Sequence, residues 1–357
     1  MKRIVTVFLA LAMVFALVAC GGSSASSTQS STPAPAAEAT PAAPAAEATP
    51  AAPAEDYVYS GPRMTIGGAD STGTMYAAAA AVATTFSNSV NGLSVDATTS
   101  SGSNENALNV HEGEIELGMC SGDAALDAWN GTGKFEGQGG FTNLRAIGAV
   151  YPSLSNWVAL KSSGYTYLHD AKDANGVFGI GPAASTSESS ALLGLRVAGI
   201  TKDNATLQNV TLGDGADNVA NGVMTASTAF AGVPVGVHLN ASVTKDCVWL
   251  GFSDEELDQI CAENPAYYKA VIPAGTYNGQ NEDVPTFGVK CMVIANEDLD
   301  FDVAYQMAKA FNEQADEMIK GNAFFYEMAN REFICNDLPI PLHPGAEAYY
   351  KDAGLIK

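Results

Sequence analysis

The chain has 357 residues, with 17 basic against 39 acidic side chains and a formal net charge of −22. That balance excludes nucleic acid and an anionic bilayer surface as binding targets. The length suits a leader followed by two domains.

The first element is the leader. Met1-Lys2-Arg3 precedes an apolar run from Ile4 to Ala19, broken only by Thr6 and too short for a stop-transfer helix. It ends in Leu17-Val18-Ala19-Cys20-Gly21, which resembles a bacterial lipobox. The expectation is a lipoprotein signal peptide over 1–20, lipidation of Cys20, and anchoring to the outer face of the cytoplasmic membrane or in the periplasm. Residues 21–62 are expected to form a low-complexity Ala/Pro/Ser/Thr tether. The nonamer PAAEATPAA occurs at 35–43 and again at 44–52. Such a segment buries too little apolar surface to offset its ordering entropy.

Removing Lys2 and Arg3 leaves a net charge of about −24. The remaining cysteines are Cys120, Cys247, Cys261, Cys291 and Cys335, with no C-x-x-C pair, and His111, His169, His238 and His343 lie far apart in sequence. That spacing speaks against a metal site and assigns no disulfide.

From Arg63 the pattern alternates strand and helix. Strands are expected at 63–67, 93–97, 115–120, 144–150, 157–160, 177–180, 209–212, 228–231, 247–251 and 288–295. Helices are expected at 75–87, from the turn at 101–106 to near Gly113, from Ser121 to near Gly131, and at 186–199, 214–225, 234–242, 253–263, 304–319 and 344–353. Alternating units of this kind pack helices on a mostly parallel sheet, with ligands beyond the carboxyl ends of strands.

Four short polar turns stand at those ends: Asp70-Ser71-Thr72-Gly73-Thr74, Ser100-Ser101-Gly102-Ser103-Asn104, Ser121-Gly122-Asp123 and Ala184-Ser185-Thr186-Ser187. Each precedes a helix, whose first N–H groups and dipole favour an anion. One such turn reads as a helix cap, and Ser185-x-x-Glu188 and Ser253-x-x-Glu256 have capping-box spacing. Four together point to a small carboxylate held without a buried Arg. Gly179-x-Gly181-x-x-Ala184 also reads as a dinucleotide loop. Pro182 removes an N–H that such a loop must donate, so no cofactor is expected.

The same turns carry a family resemblance. Gly73-Thr74-Met75-Tyr76, Gly102-Ser103-Asn104-Glu105-Asn106, Gly113-Glu-Ile-Glu-Leu-Gly118, Leu144-Arg145-Ala146-Ile147 with Tyr151, Gly232-Val233-Pro234 and Ile272-Pro273-Ala-Gly275-Thr-Tyr277-x-Gly279 follow in an order similar to the TAXI solute receptors of tripartite ATP-independent periplasmic (TRAP) transporters. The likeness covers most of residues 63–345. It implies an α/β, two-domain, periplasmic-binding-protein-like (type II) fold with the ligand cleft between domains. It implies capture of a glutamate- or 2-oxoglutarate-like acid and delivery to membrane permease subunits, without catalysis. Ser71-Thr72 and Ala184-Ser185-Thr186 stand where that family is richer in glycine.

The expected domains are 63–150 plus 291–357, and 151–290. The expected ligand contacts are Ser71, Thr72, Gly73, Thr74, Tyr76, Ser103, Asn104, Ser121, Tyr151, Ser185, Thr186, Ser187, Gly232 and Tyr277. Arg196 reads as a surface residue, and Arg145 as either a support or a solvated strand end. The alternatives are a tethered sensory receptor, or a hydrolase or transferase on a similar body. The second lacks a Gly-x-Ser-x-Gly elbow.

Overall fold

The computed structural model describes residues 52–54, 56–69, 71 and 73–357. The leader, Cys20, most of the tether, and the turn residues Asp70 and Thr72 lie outside the described residues.

Strand β1 (Met64–Gly67) leads into helix α1 (Thr74–Ser89), β2 (Val95–Thr98) into α2 (Ser103–Glu112), and β3 (Leu117–Ser121) into α3 (Gly122–Asn130). Strand β4 (Leu144–Leu160) follows. Then come β5 (Val177–Gly179), α4 (Thr186–Val197), β6 (Thr206–Gln208), α5 (Leu212–Ala220), β7 (Ala226–Ala231), α6 (Gly236–Thr244), β8 (Cys247–Leu250), α7 (Asp254–Glu263) and β9 (Tyr267–Ile272). Strand β10 (Val284–Asn296) and helices α8 (Phe301–Gly321), α9 (Arg331–Cys335) and α10 (Pro344–Asp352) complete the chain, with a 3-10 turn at Ala323–Ala329.

The sheet repeats one plan twice. Its first array runs β2-β1-β3-β10-β4, and its second runs β6-β5-β7-β4, with β8 on the other side of the end of β4. In each array three parallel strands meet an antiparallel strand that arrives from the other half of the chain. Strands β4 and β10 are long because each serves both arrays. β4 pairs with β10 over Leu144–Leu154 and with β7 from Leu154 onward, while β10 begins against β9 and ends against β3. This is an α/β fold in which two strand arrays share the long crossing strands β4 and β10.

Side chains of the crossing strands alternate between layers, as a two-residue period requires. Cys291, Val293 and Ala295 pack with Phe86, Met307, Phe311 and Tyr350. Met292 and Ile294 face the opposite layer, with Ala107, Cys120 and Ala125. In the second array Trp157 and Ala159 join Phe178, Phe252 and Phe287. Val158 and Leu154 join Trp249 and Tyr277.

Three sequence expectations need correction. The strands expected at 144–150 and 157–160 are one strand. Pro152 lies in the stretch of β4 before pairing with β7 begins, so its missing N–H leaves that ladder intact. Beyond it the Ser155 carbonyl accepts from Thr286 Oγ1 at 2.7 Å, and Asn156 Oδ1 from the Tyr277 hydroxyl at 2.9 Å, while the buried Ser155 hydroxyl has no partner within the protein. Residues 209–212 are not a strand, because Thr211 Oγ1 caps α5 by accepting from the Asp214 N–H at 3.1 Å. Strand β9 and helix α9 had no sequence signal strong enough to be expected, and β10 starts at Val284 rather than Gly288. The five cysteines from Cys120 onward are free thiols. Among the described residues no helix is long and apolar enough to cross a membrane.

Candidate functional site

The first half fixes its turns through one amide. Asn106, in α2, is fully buried, and its Nδ2 donates to the carbonyls of Gly67 (3.1 Å), Gly68 (2.6 Å) and Met119 (2.8 Å). Two protons shared among three carbonyls tie the end of β1, the end of β3 and the start of α2 together. Strand β1 ends in glycine for a matching reason: a Cβ at Gly67 would lie 2.3 Å from Asn106 Oδ1. Nearby, Ser103 Oγ accepts from the Ser121 N–H at 3.0 Å and lies 3.8 Å from Met75 Sδ, which links the first three turns.

In the second half, Ser185 Oγ caps α4 by accepting from the Glu188 N–H at 3.2 Å. The capping box is incomplete here. Glu188 reaches past Ser185 to the Ala184 N–H (2.6 Å) and also accepts from Asn209 Nδ2 (2.8 Å). The box at Ser253 and Glu256 is complete. Ser187 Oγ accepts from the Phe230 N–H at 3.2 Å, which docks the fourth turn on the end of β7.

Three contacts join the halves at these turns. Asn104 Nδ2 donates to the Ala184 carbonyl at 3.4 Å. The Tyr267 hydroxyl donates to Asp123 Oδ2 at 2.8 Å, and both residues are buried. At Gly232 a Cβ would sit 2.9 Å from Thr74 Cγ2 and 3.0 Å from Tyr151 Cδ2, so only glycine permits the approach. Phe230 packs edge-on against Tyr267 at 5.8 Å, which closes the circuit from the third turn to the fourth. The four turns, three in the first half and one in the second, are thus linked through these contacts.

The electrostatics are set by the chain's own carboxylates. Glu105 accepts from the Ser101 hydroxyl at 2.6 Å and from its N–H at 2.9 Å, and those bonds hold its carboxyl below the usual glutamate range. Burial pushes the Asp123 carboxyl up, and the bonds from Tyr267 and from the Ala124 N–H pull against that shift. Burial also raises the Tyr267 hydroxyl well above its ordinary value. Backbone donors at the second and fourth turns are thus engaged internally. Among the described residues no Lys or Arg side chain bonds to a turn atom.

The remaining expected site residues fall as follows. Ser71 is exposed, and Gly73 is the N-cap of α1 without a side-chain cap. Thr74, Tyr76, Ser185 and Thr186 are half-buried, whereas Ser103, Ser121, Tyr151, Ser187 and Gly232 are buried. Tyr277 lies in the core of the second half. Its ring stacks on Trp249 at 4.3 Å, and its hydroxyl accepts from the Val235 N–H at 3.0 Å while donating to Asn156. It holds the segment after Gly232 rather than presenting a free hydroxyl. Arg145 bonds Glu297 at 2.5 Å and the carbonyls of Thr142 and Leu144, and Arg196 pairs with Glu263 on the surface. Neither reaches a turn. Sequence reasoning passed over Tyr267 and Phe324, whose ring meets Tyr151 at 5.8 Å. It gave Asn106 and Asp123 no role, although both stood inside motifs already marked.

The structure thus brings polar helix starts from both halves of an α/β chain into contact. The chain belongs to the NMT1-like family, whose model matches residues 66–354. Solved structures similar to it include the periplasmic aliphatic sulphonate binding protein SsuA from Escherichia coli, at 13% identity over 82% of this chain and 84% of that one, with a TM-score of 0.46. The ligand-binding component of an ABC-type import system from Staphylococcus aureus, with zinc bound, is similar at 10% identity over 82% and 92%, with a TM-score of 0.45. The alkanesulfonate-binding protein SsuA from Xanthomonas axonopodis pv. citri, bound to MOPS, is similar at 11% identity over 81% and 83%, with a TM-score of 0.42.

Proposed function

We propose that this chain is an extracytoplasmic solute-binding protein, anchored through a lipidated Cys20, that captures a small organic acid by closing two domains. The observation that carries the reading is the convergence of four polar turns from both halves, through Asn104–Ala184, Asp123–Tyr267 and Thr74–Gly232. Neither half alone surrounds a ligand there. The moving bodies would be residues 63–150 plus 291–357 and residues 151–290, with β4 and β10 as the strands that absorb the change. A ligand shifts such an equilibrium only by binding one state more tightly than the other, which contact with both halves provides.

The proposed contacts are the hydroxyls of Ser71, Thr72, Thr74, Thr186 and Ser187 and the polar groups of Ser103 and Asn104, with Tyr76 and Tyr151 as walls. The glutamate- or 2-oxoglutarate-like class, and delivery to a TRAP-type permease, rest on the TAXI-like order of motifs. A sensory receptor of the same build differs only in what the closed form touches.

Calorimetric titration of Thr74→Val and Thr186→Val against small carboxylates tests the site. Each variant is expected to lose about 0.5–1.5 kcal/mol of binding free energy. Unchanged affinity in both variants removes these turns from the site.

A further inference from the structure

We propose that Phe324 is a specificity-determining residue, which limits the chain length of the acid by walling an apolar corner with Thr74, Tyr151 and Gly232. The proposal rests on the four-turn reading above and adds one limit on its ligand.

The corner is defined at Gly232, just past β7. A Cβ there would meet three atoms first: Thr74 Cγ2 at 2.9 Å, Tyr151 Cδ2 at 3.0 Å and Phe324 Cβ at 3.2 Å. All three are carbons. Thr74, at the start of α1, thus presents its methyl to Gly232. These walls offer a carboxylate no donor, and an ionised group placed against them would lose its water without compensation. Methylene groups gain by the same transfer. The charged ends of an acid therefore belong at the hydroxyls and helix starts, and its carbon chain belongs at this corner.

Phe324 is the part of the wall placed to stop a longer chain. Tyr151 and Gly232 are buried, whereas Phe324 and Thr74 are half-buried. The Phe324 ring meets Tyr151 edge-on at 5.8 Å and Phe325 at 4.5 Å. Its own 3-10 turn, Ala323–Ala329, is anchored on both sides. Phe325 and Met328 are fully buried in the core of the first array, and Tyr326 packs on the cluster of the second that holds Trp249 and Tyr277. A wall whose neighbours are locked by packing resists displacement by the ligand.

The test titrates the full chain by calorimetry with two homologous pairs, L-glutamate with L-2-aminoadipate and 2-oxoglutarate with 2-oxoadipate, each pair differing by one methylene. The wild-type chain is expected to prefer the shorter member of the pair it binds by at least about tenfold. Phe324→Ala should bring the two members within about threefold, and Phe324→Leu should fall between. Thermal melts establish which variants fold, and Phe324→Leu carries the test if Phe324→Ala does not. General destabilisation would weaken both members alike and leave their ratio unchanged. A wild-type chain that takes both members equally, or a folded variant that keeps the wild-type ratio, overturns the role of Phe324 and leaves the four-turn reading standing. A wild-type chain that binds none of the four acids overturns the acid class itself, and this proposal with it.

Discussion

The two arrays share a strand plan but satisfy their buried polar groups differently. In the first, one amide, Asn106 Nδ2, ties β1, β3 and α2 through three carbonyls. In the second, no single side chain does this, and His238, Trp157, Trp249, Ser155, Ser227 and Thr228 bury polar side-chain atoms that have no hydrogen-bond partner within the protein, as Asn106 Oδ1, Ser121 Oγ and His343 Nε2 do in the first. Backbone pairing sets the plan in both. Side chains decide where each array is vulnerable: the first at the Asn106 clamp, the second at His238, whose imidazole burial pushes down to about 4, a direction that His343 of the first array shares.

The largest effects should separate the arrays. Burial pushes His238 down to about 4, so the folded protein prefers the neutral ring. Because the folded value lies below the unfolded one, the stability contributed is complete above about pH 6.5 and is lost as pH falls toward 4. The loss should reach about 3 kcal/mol, read from denaturant melts across that window, and His238→Phe should flatten the slope. Asn106→Ala breaks the comparison from the other side. It leaves three carbonyls short of a donor and should cost about 3 kcal/mol at every pH, with the first turn losing hydrogen-exchange protection. A cost under about 1 kcal/mol would show that the clamp is redundant.

Smaller effects sharpen the contrast. Ser187→Ala removes the single acceptor for the Phe230 N–H and should cost about 1 kcal/mol. Its effect on ligand affinity should exceed that of Ser253→Ala, a cap remote from the turns. Arg196→Met breaks an exposed pair with Glu263 and should move stability by less than about 0.5 kcal/mol.

Much of the fold was legible because its units are local. The helix starting at Ser185 and the one ending near Gly113 announce themselves by caps and periodicity. The continuity of β4 was not legible, since Pro152, Ser153, Ser155 and Asn156 resemble a turn until β10, Thr286 and Tyr277 are placed beside them. The turns were legible as polar helix starts. Their internal use was not: Glu188 had capping-box spacing and Glu105 carried no such signal, and only the folded chain shows them taking the Ala184 and Ser101 donors. Tyr267 and Asp123 are 144 positions apart, and no local pattern could pair them.

The central claim is capture by closure, and small-angle scattering of the full chain with and without glutamate and 2-oxoglutarate, run beside thermal melts, tests it most directly. The account predicts that one of these acids lowers the radius of gyration and, at about 100 times its dissociation constant, adds roughly 2.7 kcal/mol to stability. Thr74→Val should weaken both responses together. An acid that raises the melting temperature while leaving the radius of gyration unchanged would contradict closure.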